Sequence, residues 1–197
     1  MKINALLFAV FLLVPLGAIC AEVTDCDRLA ANPPDPDRIA EGVPRSKIDV
    51  PAAIAACERA LAADPGNARI TYQLGRVSFY GGNAAGALKY IGQAADQKYS
   101  EAEFVMGLLA DRGLGGDICT VEGYWYRAAL QGHLHARVAY VRYVTKGRFD
   151  SCKVQATPAQ LTELIDIQEP DLYSYSYFLR VLVEDLKEDV IAYKQGQ

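Results

Sequence analysis

His133 and His135 are the only imidazoles in the sequence. Two residues apart on one helix, they would point about 200° from one another and could not share a metal ion. They read as surface residues at a helix start. The serines Ser78, Ser100 and Ser151 have no base within an identifiable motif, and there is no GxSxG, GxxxxGK[ST] or HExxH pattern. Gly113 to Gly116 resembles a phosphate loop only superficially, because no lysine follows and no strand precedes it. The acidic pairs Glu101/Glu103 and Glu184/Asp185 sit in polar helical segments and read as solvated faces, not as acid–base dyads. The expectation is therefore no catalytic residue, no metal ligand and no cofactor, and a chain that is not an enzyme.

Cysteine is the next reactive side chain. Cys20 lies at the end of an apolar run, Ala5 to Ile19, that follows Lys2 and precedes Glu22. This is the layout of a secretory signal over residues 1–21, with cleavage after Cys20 or Ala21. The branched Ile19 argues against a lipid anchor on Cys20. The expected compartment is periplasmic or extracellular. Removing that segment leaves 176 residues with net charge −5. An acidic chain without lysine clusters argues against nucleic acid and anionic membrane surfaces as partners. No further apolar run is long enough to span a bilayer, so the mature chain is not expected to insert into one.

The mature cysteines are Cys26, Cys57, Cys119 and Cys152, with no CxxC and no neighbouring histidine, which excludes a zinc site on spacing. In an oxidising compartment they are expected to pair, and three connectivities are open. The preferred pairing is Cys26–Cys57 and Cys119–Cys152, each about one internal repeat apart. Free buried thiols are the alternative.

That repeat organises the chain. Ala87, Tyr90, Ala94, Ala95 and Ala102 recur as Val121, Tyr124, Ala128, Ala129 and Ala136, all at an offset of 34. Leu74-Gly75 recurs as Met106-Gly107 at an offset of 32. Ala102, Val105, Met106, Leu109 and Ala110 follow helical periodicity. Turn signals at 64–67, 81–83, 113–116 and 150–151 bound expected helices at 50–63, 67–80, 83–96, 99–112, 118–131, 133–147, 157–167 and 172–193. Residues 22–49 are expected to be largely irregular, because Asn32-Pro33-Pro34-Asp35-Pro36 forbids helix. Tyr173, Tyr175 and Tyr177 alternate as a strand would. Leu172, Tyr175, Leu179, Leu182, Val183, Leu186 and Val190 instead form a helical stripe, and a capping helix is the preferred reading.

Ala60-Leu61, Asp64 to Ala68, Tyr72, Leu74-Gly75 and Gly82 resemble the tetratricopeptide pattern. Ala102, Met106-Gly107, Gly113 to Gly115, Tyr124-Trp125, Ala128-Ala129 and Gln131-Gly132 are similar to its Sel-one-like relatives. The resemblance covers residues 50–147; residues 148–197 depart from it as a degenerate last repeat and cap. It implies an all-α fold, a short right-handed α-solenoid of antiparallel helix pairs, used chiefly as a protein-binding scaffold with first helices lining a concave groove. Within that family, some envelope proteins inhibit membrane sensors and some cysteine-rich relatives act on β-lactams. These, with a structural role in the cell wall, are the alternative functions.

Aligning first helices places Arg76, Leu108 and Arg142 at one position, and Tyr80, Arg112 and Lys146 at another. The two rows are one helical turn apart. Arg76, Tyr80, Arg112, Arg142 and Lys146 are thus expected to form a basic stripe, with Arg137 one turn away and Tyr143 at its edge. The expected ligand of such a groove is another protein or peptide, an acidic or C-terminal segment being the candidate. Scattered solvated charges are the simpler alternative.

Overall fold

A computed structural model describes residues 22–167 and 177–195, and it contains helices but no strand among them. The helices are α1 (Asp25–Ala30), α2 (Val50–Ala63), α3 (Ala68–Tyr80), α4 (Ala84–Asp96), α5 (Ser100–Asp111), α6 (Ile118–Leu130), α7 (Leu134–Thr145), α8 (Pro158–Ile165) and α9 (Tyr177–Gln195), with a single 3-10 turn at Arg45–Lys47. The helix starts are chemically specified. Asp49, Asn67, Asn83 and Asp117 each accept a hydrogen bond from a first-turn amide of α2, α3, α4 and α6. Thr157 and Gln160 close a reciprocal capping box on α8. Such caps satisfy amides that have no partner inside the helix.

Successive helices pack as antiparallel neighbours from α1 to α7, α1 also touches α3, and α8 and α9 both lie against α7. The apolar interior is correspondingly divided along the stack. One cluster joins Cys26, Cys57, Ile70, Leu74 and Val77, a second joins Tyr72, Ala87, Ile91, Ala94 and Met106, and a third runs from Val121 and Trp125 to Val183 and Leu186. Packing mainly between each helix and the next one or two along the chain is the mark of a repeat array. The chain is an α-solenoid.

The repeated small residues act as the offset of 34 implies. Ala94, Ala95 and Ala102 are buried, as are Ala128, Ala129 and Ala136. A Cβ on Gly75 would stand 2.6 Å from the Ile91 side chain, and one on Gly107 would overlap the Trp125 indole. Each glycine thus marks a close approach between the helices of a pair. At the helix ends, Gly82, Gly113 and Gly132 adopt positive φ, and Lys98 (φ 62°) takes that conformation after α4.

The cysteines pair as Cys26–Cys57 and Cys119–Cys152. The first ties α1 to α2; the second ties α6 to the segment after α7. At the C-terminal end α9 buries Val183, Leu186 and Val190, three positions on one helical face. Leu172, Tyr173 and Tyr175 lie outside the described residues, as does the expected export signal.

A cationic cleft between two first helices

Residues 31–43 set up the site, although they form no helix. They lie as a strap across α3 and the start of α5. Arg76, on α3, donates from Nη1 to the carbonyls of Ala30 (2.9 Å) and Ala31 (3.0 Å) and from Nη2 to that of Val43 (2.8 Å). Both ends of the strap are therefore gripped by one guanidinium. Further along, Tyr99 donates its hydroxyl to Asp35 (2.6 Å) and Ser100 donates to Asp37 (3.0 Å). At the near end Asp27 is buried, accepting from Arg69 (2.7 Å) and Gln73 (3.0 Å). Burial pushes the Asp27 carboxyl up, but those bonds and those from Thr24 outweigh it and hold the group below the usual carboxylate range.

The strap closes one side of a cleft of about 320 Å³ whose other walls are α3 and α5. Three guanidinium groups line it: Arg45 from the 3-10 turn, Arg76 from α3 and Arg112 from the end of α5. Arg45 and Arg76 stand 5.0 and 5.2 Å from the ring centroid of Tyr80, which fixes both by cation–π attraction. Among the described residues, no carboxylate forms an ion pair with any of the three. Arg76 Nε is also buried without a hydrogen-bond partner. The apolar part of the wall comes from Phe79, Phe104, Val105 and Leu108.

Asn32, Tyr72 and Glu101 also line the cleft, and they belong to a polar network that runs into the interior. Glu101 accepts from Asn32 (2.6 Å) and Tyr72 (3.0 Å) on one oxygen and contacts His133 Nε2 (2.7 Å) with the other. His133 Nδ1 accepts the Ala136 amide at 3.2 Å and so caps α7. The ring proton must then be on Nε2, which donates to Glu101. Neither ring nitrogen is left for proton transfer, so this pair joins α5 to α7 and is not arranged as a base. Burial, followed by the charges of Glu101 and Asp35, pushes the Tyr72 hydroxyl well above its ordinary value, keeping it a donor. Asp35 is fully buried, and burial drives its carboxyl up to about 6 against the bonds from Tyr99 and the Asp37 amide.

Several expectations are corrected here. Glu101 and Glu103 are each 1% exposed, not solvated. Lying in the first turn of α5, they face the neighbouring hairpin, where Glu103 is met by Arg127 (2.6 Å) and Gln131 (2.6 Å). His133 is buried rather than superficial, and since it precedes the helix the 200° separation does not apply. Its ring lies 5.9 Å from that of His135, and both stack on Phe104. Burial, and then His133, hold the His135 imidazole below its usual value. No group of three or more metal-ligating side chains is present among the described residues.

The basic stripe is divided. Arg76, Tyr80 and Arg112 line the cleft just described. Arg142 and Lys146 instead line a second one with Asp185, Glu188 and Asp189, where Lys146 pairs with Asp189 at 2.8 Å. Arg137 donates to the carbonyls of Leu164 (2.6 Å) and Asp166 (3.1 Å), closing the end of α8. Tyr143 packs edge-on against Trp125 and donates to Asp111 at 3.0 Å. Arg76 and Arg137 thus serve backbone carbonyls of segments that depart from the repeat pattern. A stripe drawn from repeat positions alone could not show those segments. Arg45, Phe79 and Phe104 were not among the expected site residues; the one sequence signal for Arg45 was its place after Pro44, in a segment too polar and proline-rich to pack as helix.

The chain is similar to a Sel1 repeat protein from Oxalobacter formigenes of known crystal structure, at 26% identity and a TM-score of 0.46. The match covers 57% of this chain and 48% of that one, so the chain spans about half the length of that relative. No protein-family model matches the chain, and no curated protein does either.

Proposed function

We propose that this chain is an exported helical-repeat scaffold that holds another protein in the cell envelope, chiefly through the cleft between α3 and α5. The observation that carries this reading is the set of three guanidiniums in that cleft without a carboxylate partner, on a chain whose formal charge is −4. An acidic protein has carboxylates to spare for neutralising its own arginines, and Arg69 and Arg127 are neutralised in that way. Arg76 is already committed to the strap carbonyls, and Arg45 and Arg112, beside it, are left for an incoming anion, the arrangement that steers and orients a charged partner.

Export is supported by the signal-like residues 1–21 and by two disulfides, which persist in oxidising compartments. No helix among the described residues is long and apolar enough to cross a membrane. The test is affinity capture from envelope extract, comparing the mature chain with its Arg45→Glu/Arg112→Glu variant. The wild type should retain a protein that the variant releases. Equal retention by both would move the interface away from this cleft.

A further inference from the structure

The cleft has a second property besides charge, and the two together describe what it takes. Its guanidiniums stand beside an apolar wall that includes Phe79, itself 38% exposed, and the half-buried Phe104. A simple anion would satisfy the arginines and leave that wall wet. An apolar side chain alone would bury Arg76 and Arg45 further without a counter-charge, which is costly. Only a ligand with both features satisfies the whole site.

The strap indicates the form of the backbone that carries them. Along the same face, Asp35 and Asp37 reach the hydroxyls of Tyr99 and Ser100 from a run interrupted by Pro33, Pro34 and Pro36. The carboxylates are side chains at alternate positions of a non-helical segment that turns at Asn32–Asp35 and again at Asp35–Arg38. The first-helix face of this array already reads acidic side chains presented in that way, and the cleft continues that face beyond the strap.

Resting on the scaffold reading above, we infer that the cleft binds a non-helical internal segment of a partner protein in which an Asp or Glu stands beside an aromatic or branched apolar residue. Arg112 and Arg45 take the carboxylate at the mouth, Arg76 adds its positive charge from the wall, and the apolar side chain covers Phe79 and Phe104.

The probe is a peptide of sequence Gly-Glu-Asp-Phe-Asp-Pro-Gly, capped at its N-terminus by fluorescein and amidated at its C-terminus, titrated with the mature chain and read by anisotropy. Comparison peptides replace the acids by lysine, replace the phenylalanine by alanine, or carry the sole carboxylate as a free C-terminus after phenylalanine. The acidic peptide should bind, with affinity falling as salt rises, and each of the first two replacements should weaken it at least tenfold. Arg112→Glu and Arg45→Glu should each weaken it at least tenfold without shifting the melting temperature, and Arg142→Glu, in the other cleft, should leave it unchanged. Equal binding of the lysine peptide, insensitivity to both cleft variants, or binding only of the free C-terminus would overturn the inference. If none of the peptides binds while the mature chain still captures a partner, this ligand class is wrong and the scaffold reading stands. If the mature chain captures nothing, the scaffold reading fails.

Discussion

Asp35 and Glu101 are both buried carboxylates near the strap, yet their surroundings set opposite consequences. Glu101 receives hydrogen bonds from Asn32, Tyr72 and His133. Replacing it by alanine would strand two buried donors, Tyr72 and His133, and take one acceptor from half-buried Asn32, and Glu101→Ala should cost about 3–5 kcal/mol in urea unfolding. A loss under about 1 kcal/mol would show that the network is solvated. Asp35, whose folded-state pKa of about 6 lies above its ordinary 3.8, holds its proton more tightly folded than unfolded. Its contribution is therefore most favourable below pH 3.8 and declines as the pH rises to about 6, by up to about 3 kcal/mol. Asp27, depressed by Arg69, has the opposite sign and loses its contribution only at lower pH. Asp35→Asn should therefore be more stable than wild type at pH 7 and flatter between pH 4 and 6, as followed by thermal melts. An unchanged slope in the variant would assign the pH dependence elsewhere. Neither role was legible from residue type, because burial of an acid is decided by which neighbours the fold brings to it.

At the scale of elements, the repeat offsets were informative because packing imposes them. Two helices approach closely only where a side chain is missing, and the recurrence of Leu74-Gly75 as Met106-Gly107 located such joints. Gly107→Ala would drive a methyl group into the Trp125 indole, whose Nε1 donates to the Phe104 carbonyl at 3.1 Å. The expected loss is about 1–3 kcal/mol, the usual range for overpacking. Because Phe104 also lines the cleft, the same change should weaken ligand binding. Full stability in Gly107→Ala would mean that α5 and α6 can separate freely. Helix positions were readable to within a few residues from periodicity and turn chemistry. The strap was legible only as a segment that cannot be helical. Its hold on Arg76 uses backbone carbonyls, which carry no side-chain signature, and so the stripe drawn through Arg76, Arg112 and Arg142 missed its division into two clefts.

Over the whole molecule, the neighbour-to-neighbour packing leaves each face of the array defined by two or three helices at a time. The N-terminal face is completed by a strap and a disulfide between Cys26 and Cys57, and the C-terminal end by α8 and α9. The cationic cleft falls between these two additions, where α3 and α5 remain open. Hydrogen–deuterium exchange of the mature chain, with and without its captured partner, tests that placement most directly. Protection should rise in residues 31–45, in the second half of α3 and along α5, and stay unchanged in α8 and α9. Protection confined to α8 and α9, with α3 and α5 unaffected, would contradict the account.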